Sequence, residues 1–187
     1  MTKAKLPERL PKLIVFDLDK TLWNVWIDFT EGPPFTYDKE TNTMFDKYNQ
    51  PFGLFKHVAE IFTMIKSFSD TKIAIASRST TPDWASMALK TFQVPELGCS
   101  LIDLIDYIEI YPAQKTQHFT EIQQASGIPY EEMLFFDDER RNAVVKNLGV
   151  HFILLDPSKG VTLDKFMSAL QLFEKNATMK QTTLQFK

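Results

Sequence analysis

Short apolar runs, each giving way to polar residues capable of chemistry, recur along this chain. Leu13-Ile14-Val15-Phe16 leads into Asp17 and Asp19, Ile73-Ala74-Ile75-Ala76 into Ser77 and Arg78, and Met133-Leu134-Phe135-Phe136 into Asp137 and Asp138. Runs this brief and unbroken predict strands buried on both faces. Carboxylates at i and i+2 of a strand share a face, so Asp17 and Asp19 would both enter the core if the first strand ran straight on. Burying them unpaired is too costly. The chain therefore leaves the strand here, and the acids meet a cation, solvent or a substrate.

Helical patterns fill the intervals. Leu54, Val58, Ile61, Phe62, Ile65 and Phe68 recur at helical spacing. Thr81 and Pro82 suit the N-cap and first turn of a helix running to Phe92. Ser100 to Ile105 reads as a short helix and Tyr107 to Ile110 as a third strand. A helix from Gln114 to Ser126 should stop at Gly127, and another from Glu139 to Asn147 should end before Gly149. Phe152 to Leu155 forms a fifth strand. A last amphipathic helix covers Leu163 to Lys175, ahead of a loose polar tail at 176–187. The alternation predicts an α/β fold, a Rossmann-like, mainly parallel sheet with helices on both faces. Such sheets carry their sites at the carboxyl ends of strands, where strand order reverses. If the first and fourth strands are neighbours there, the four acids converge.

The 187 residues suit a single domain over 1–187, with a short aromatic-rich insert at about 23–51 marked by the turn signal Gly32-Pro33-Pro34. A net charge of -3 and the lack of a basic block give no reason to expect nucleic acid as a partner. No apolar stretch reaches membrane-spanning length, and Met1 to Lys12 lacks the apolar centre of a signal peptide. The lone Cys99 excludes an internal disulfide and a cysteine-based metal site. A reducing compartment, the cytoplasm or the nucleus, fits best.

Four clustered carboxylates raise one another's pKa values, and a divalent cation resolves the repulsion. Oxygen ligands without His or Cys select a hard ion, and a small one keeping several waters is Mg2+. Ser77, Lys115 and backbone amides supply the hydroxyl, charge and N–H groups that a phosphoryl group needs. One carboxylate can attack phosphorus. A second can protonate the leaving oxygen and then activate water.

These residues resemble a known group. Asp-x-Asp-x-Thr after the first strand, Ser after the second, a Lys ahead of the last acids and Asp-Asp after the fourth are similar to the four signatures of the haloacid dehalogenase superfamily, across roughly residues 13–155. Phe16-Asp17-Leu18-Asp19-x-Thr21-Leu22-Trp23, Ala76-Ser77-Arg78, Ile110-Tyr111-Pro112-x-x-Lys115-x-x-His118-Phe119 and Phe135-Phe136-Asp137-Asp138-Glu139-x-Arg141-Asn142 resemble the eukaryotic magnesium-dependent phosphatases. The resemblance implies that Asp17 is the nucleophile and a metal ligand, and that Asp19 is the general acid and base with its backbone carbonyl on the metal. It implies Asp137 as a direct ligand of Mg2+ and Asp138 as a ligand, direct or through water. Ser77 and Lys115, with the amides of Leu18 and Asp19, would hold the phosphoryl oxygens, and Thr21 would order the loop.

The implied activity is Mg2+-dependent hydrolysis of phosphomonoesters through an aspartyl-phosphate, on phosphotyrosine-type or sugar phosphate substrates. A phosphotransferase or mutase with the same intermediate is the alternative, and a non-catalytic phospho-binding module a further one. A monomer acting on a phosphorylated small molecule or phosphoprotein is expected. Neither gap between motifs accommodates the large cap domain of bigger superfamily members, so the mouth should be open. One position departs from the family: Lys20 stands where Tyr is usual, and it could favour anionic substrates or point to solvent. Arg78 could contact substrate or pair with an acid. Arg141 and Asn142 read as supports for the acidic pair. Trp23, Trp26, Phe29, Phe35 and Tyr37 either stack on substrate or pack the insert down. His118 either backs the site or packs.

A receiver domain also clusters acids, but its acceptor Asp follows the third strand, where this chain has Tyr111-Pro112. A calcium loop needs Gly where Leu22 stands.

Overall fold

The structure, a computed structural model, describes residues 6–185, with side chains to 177. Five parallel strands form the central sheet: β1 (Leu13–Phe16), β2 (Lys72–Ser77), β3 (Tyr107–Ile110), β4 (Met133–Asp137) and β5 (His151–Leu154), in the order β5-β4-β1-β2-β3. The chain steps outward from β1 to β3, then crosses to the other side of β1 for β4. Strand order reverses between β1 and β4, which lie in parallel register with Phe16 opposite Phe136. The acids that follow each strand are thereby neighbours.

The unbroken apolar runs follow from two-sided burial. Ile14 and Phe16 face one layer with Ile73, Ile75, Leu134 and Phe136. Helices α1 (Val58–Lys66), α2 (Pro82–Thr91) and α4 (Leu163–Gln185) cover it through Ile61, Phe62, Ala88, Leu89, Phe166 and Leu170. Leu13 and Val15 face the opposite layer, packed under Phe119 and Ile122 of α3 (Lys115–Ser126). The sheet alternation continues past the strand ends, so Asp17 and Asp137 point to the α3 side.

Several boundaries differ from the sequence expectation. Leu54 is not helical: it bridges to Trp23, and Phe55 donates its amide to the Leu22 carbonyl, so α1 starts at Val58. Thr81 stands at the N-cap of α2, but its hydroxyl bonds Asp28 instead of the helix. The segment expected as an α-helix after Asp138 is a 3-10 helix, Arg140–Leu148, closed by Gly149 at φ 110°. The short helix in the middle is also 3-10, Leu101–Leu104, opened by a capping box between Ser100 and Asp103. Helix α4 continues beyond Lys175 to Gln185, where a loose tail is expected; 186–187 lie outside the described residues. No helix among the described residues is long and apolar enough to cross a membrane.

The aromatic-rich insert, for which the sequence offers no strand pattern, carries a three-stranded antiparallel sheet of Thr36–Asp38, Thr43–Phe45 and Pro51–Gly53. Asn42 ties it to the body by donating to the Gln93 carbonyl at 2.9 Å and accepting the Gln93 amide at 3.0 Å. Phe35 meets Trp84 of α2 edge-on at 5.8 Å.

Candidate active site

Directly after β1 the chain folds back on itself. The Leu18 carbonyl accepts the amides of Thr21 and Leu22 at 3.1 and 2.8 Å. Lys20 takes a left-handed conformation, φ 56°, uncommon for a residue with a Cβ. Its ammonium donates to the Asn24 carbonyl at 2.7 Å and lies 4.6 Å from the Trp26 ring centroid. Lys20 therefore locks the turn. The amides of Leu18 and Asp19 find no partner among the described residues.

This turn separates the two acids of the first motif. Asp17 stays on the α3 side of the sheet, and Asp19 swings toward the insert. The Asp19 carboxylate accepts the Trp23 indole N–H at 2.6 Å and the Ile27 amide at 3.1 Å. Burial nonetheless pushes its pKa up to about 6.

Lys115, the first residue of α3, is buried between the two strand-end acids. Its Nζ lies 2.5 Å from Asp17 and 3.1 Å from Asp137, and it also donates to the Ala76 carbonyl. All three ammonium hydrogens are thus committed. Burial opposes the lysine charge, but Asp17 and Asp137 hold its pKa above the ordinary value. For Asp17, burial is the largest influence and outweighs Lys115, so its pKa is raised well above the usual range, with Asp137 adding to the rise. One lysine does not neutralise this cluster.

Asp17, Asp137 and Asp138 bring one carboxylate oxygen each within 4.8 Å of the others. Asp137 is fully buried and held by the Asn142 amide at 2.9 and 3.0 Å and by the Glu139 N–H at 2.7 Å. Asp138 is pushed up to about 6 by burial and by the charges of Asp137 and Glu139. Three carboxylate oxygens this close together repel one another and fit a hard divalent cation. The Asp19 side chain stands outside this trio.

The acids open onto a cleft of about 210 Å³. Ser77 lines it from the end of β2 and accepts the Ser79 amide at 3.3 Å. Arg78 also lines it and forms no ion pair among the described residues. Of Trp23, Trp26, Phe29, Phe35 and Tyr37, only Trp26 and Phe29 reach the cleft, 46% and 82% exposed. Trp23 is buried, and Phe35 and Tyr37 pack against the core. Asn142 supports the acids as expected; Arg141 instead pairs with Glu139 at 2.7 Å. His118 is a packing residue, buried against the carbonyls of Tyr111 and Gln114 and stacked on the Tyr111 ring.

Comparison with known proteins decides the family. Residues 9–176 match the sequence pattern described as Acid Phosphatase. The chain belongs to this family. Its relatives include magnesium-dependent phosphatase 1 of Homo sapiens, 39% identical over 174 residues, covering 91% of each chain. A HAD-like hydrolase superfamily protein of Schizosaccharomyces pombe is 39% identical over 146 residues, covering 76% of this chain and 84% of the relative. A predicted phosphatase from Clostridium acetobutylicum shares the fold at a TM-score of 0.59 and 12% identity, covering 91% of this chain and all of that one. The resemblance to haloacid dehalogenase-type and magnesium-dependent phosphatases is borne out.

One residue of this acid phosphatase family member escaped the sequence reading. Asp28, in the 3-10 turn Ile27–Phe29, accepts five hydrogen bonds from the loop after Ser77 and Arg78. Ser79, Thr80 and Thr81 are the donors. Burial pushes the Asp28 pKa up, but those bonds outweigh it and hold the carboxyl below its ordinary value. No local signal marks it, because its partners lie 51 to 53 positions downstream.

Proposed function

We propose that this protein is a Mg2+-dependent phosphomonoesterase that works through an aspartyl-phosphate formed on Asp17. The convergence of Asp17, Asp137 and Asp138 beside buried Lys115 carries this reading. The name of the human relative supports the choice of metal. Asp17, Asp137 and Asp138 would hold the ion through their carboxylates, and Asp19 through its backbone carbonyl. When bound, the ion supplies positive charge that offsets the phosphoryl oxygens.

Asp17 Oδ attacks phosphorus, and the bond to the leaving oxygen breaks. Asp19, its pKa pushed up to about 6 by burial, gives that oxygen a proton and takes one from the water that hydrolyses the phosphoenzyme. Ser77, the unpartnered amides of Leu18 and Asp19, and Lys115 receive the phosphoryl oxygens. Lys115 exchanges a carboxylate contact for one of them. Arg78 reaches the rest of the substrate. Trp26 and Phe29 give the mouth an aromatic wall suited to phosphotyrosine-type or sugar phosphate substrates. The lone Cys99 suits a reducing compartment, the cytoplasm or nucleus.

Replacing Asp17 by Asn tests the assignment. With Mg2+ and p-nitrophenyl phosphate the variant should release no phosphate above background and accumulate no phosphoenzyme. Retained turnover would overturn the role of Asp17.

A further inference from the structure

Beside the catalytic cleft lies a second one of about 370 Å³, bounded by Arg78, Gln114, Lys115, Arg141, Asn142 and Val144. Four of these residues, Arg78, Lys115, Arg141 and Asn142, also line the catalytic cleft, so the two spaces adjoin. Arg78, Lys115 and Arg141 line both, and only the first also has carboxylates. Asp17, Asp19, Asp28, Asp138 and Glu139 line the first. No carboxylate lines the second, which holds three cations in a chain of net charge -3.

Two of those cations have unused donors. Arg78 forms no hydrogen bond or ion pair among the described residues. Arg141 spends Nε and one Nη on Glu139, leaving the other Nη free. Guanidinium groups at the boundary between the clefts suit a planar or tetrahedral anion, which they bind with charge-assisted hydrogen bonds. We propose that the substrate carries a second anionic group next to its phosphomonoester, and that Arg78 and Arg141 seat that group in the side cleft. The inference rests on the phosphatase reading and adds the substrate class. Val144 is 40% exposed on the rim, and nothing else bounding the cleft repels an anion.

The second group could be a phosphate of a small bisphosphate or the carboxylate of an acidic residue flanking a phosphorylated side chain. Two substrate pairs separate these sources: fructose 6-phosphate against fructose 1,6-bisphosphate, and a phosphotyrosine peptide with neutral flanks against one with acidic flanks. p-Nitrophenyl phosphate serves as the singly substituted control. The doubly anionic member of one pair should show a kcat/KM about tenfold higher. Arg141→Gln and Val144→Glu should each abolish that preference while leaving p-nitrophenyl phosphate turnover within about twofold of the parent. Turnover of the control with no preference in either pair overturns the side-cleft site and leaves the phosphatase reading standing. A preference that neither variant diminishes, or an equal loss on control and doubly anionic substrates, overturns it too. No turnover of any substrate with Mg2+ overturns both readings.

Discussion

Asp17 and Asp19 are two positions apart and leave the strand in different directions, and that divergence gives them different surroundings. Asp17 continues the strand's alternation and meets Lys115; Asp19 follows the left-handed Lys20 turn to Trp23 and Ile27. An Asp19→Asn variant keeps a hydrogen-bond acceptor for Trp23 but loses the titratable proton. It should still form phosphoenzyme from p-nitrophenyl phosphate, whose leaving group needs little protonation, while steady-state turnover falls by about 100-fold or more. Unchanged turnover would refute the acid–base role. Lys115 makes a second prediction. Lys115→Met leaves Asp17 and Asp137 without their buried cation and should cost about 3–5 kcal/mol in urea denaturation. Adding Mg2+ should restore part of that loss, because the acids gain another positive partner; a loss indifferent to Mg2+ would count against a shared cation site. The acids, Ser77 and Lys115 were legible because each follows an apolar run or opens a helix. That Lys115 touches both strand-end acids was not, since it depends on β1 and β4 being adjacent.

Among the elements, the insert departs furthest from what the sequence suggests. Its strands are only three residues long, too short for alternation to stand out, and their turn depends on Asn42 at φ 53°. The stretch after Asp138 has the composition of a helix but winds with i to i+3 bonds, Asn142 N–H to the Glu139 carbonyl among them, and Asn142 reaches back to Asp137. Local pattern does not distinguish that winding from an α-helix. The insert is fastened to the loop after Ser77 and Arg78 through Asp28, so Asp28→Ala should destabilise the protein by about 2 kcal/mol, read by chemical denaturation. The linkage has a definite sign. A carboxyl whose folded pKa lies below its ordinary value of 3.8 stabilises the fold above that value, and the contribution disappears as pH falls through the folded pKa. The stability gap between the parent and Asp28→Asn should therefore be widest near neutrality and narrow below pH 3.8. A gap constant with pH would show that the hydrogen bonds do not depend on the carboxylate charge.

For the molecule as a whole, the sheet and the site are one arrangement. Helices pack both faces, the reversal of strand order sets the acids side by side, and the alternation of apolar runs with helical spacing made that much readable from the sequence. A ligand that occupies the acid cluster should stabilise the whole domain by mass action. Beryllofluoride with Mg2+ at about 100 times its Kd should add about 2.7 kcal/mol and raise the melting temperature. Asp17→Asn should abolish the rise, and a rise that survives in it would place the binding elsewhere. The central position of β1 has one more consequence. Its partners are β2, at Lys72–Ser77, and β4, at Met133–Asp137. While the polypeptide is being made, Asp17 therefore waits, without Asp137, through the synthesis of 120 further residues. A ribosome stalled before Asp137 emerges would carry a nascent chain without the trio of acids, however well its first half had collapsed.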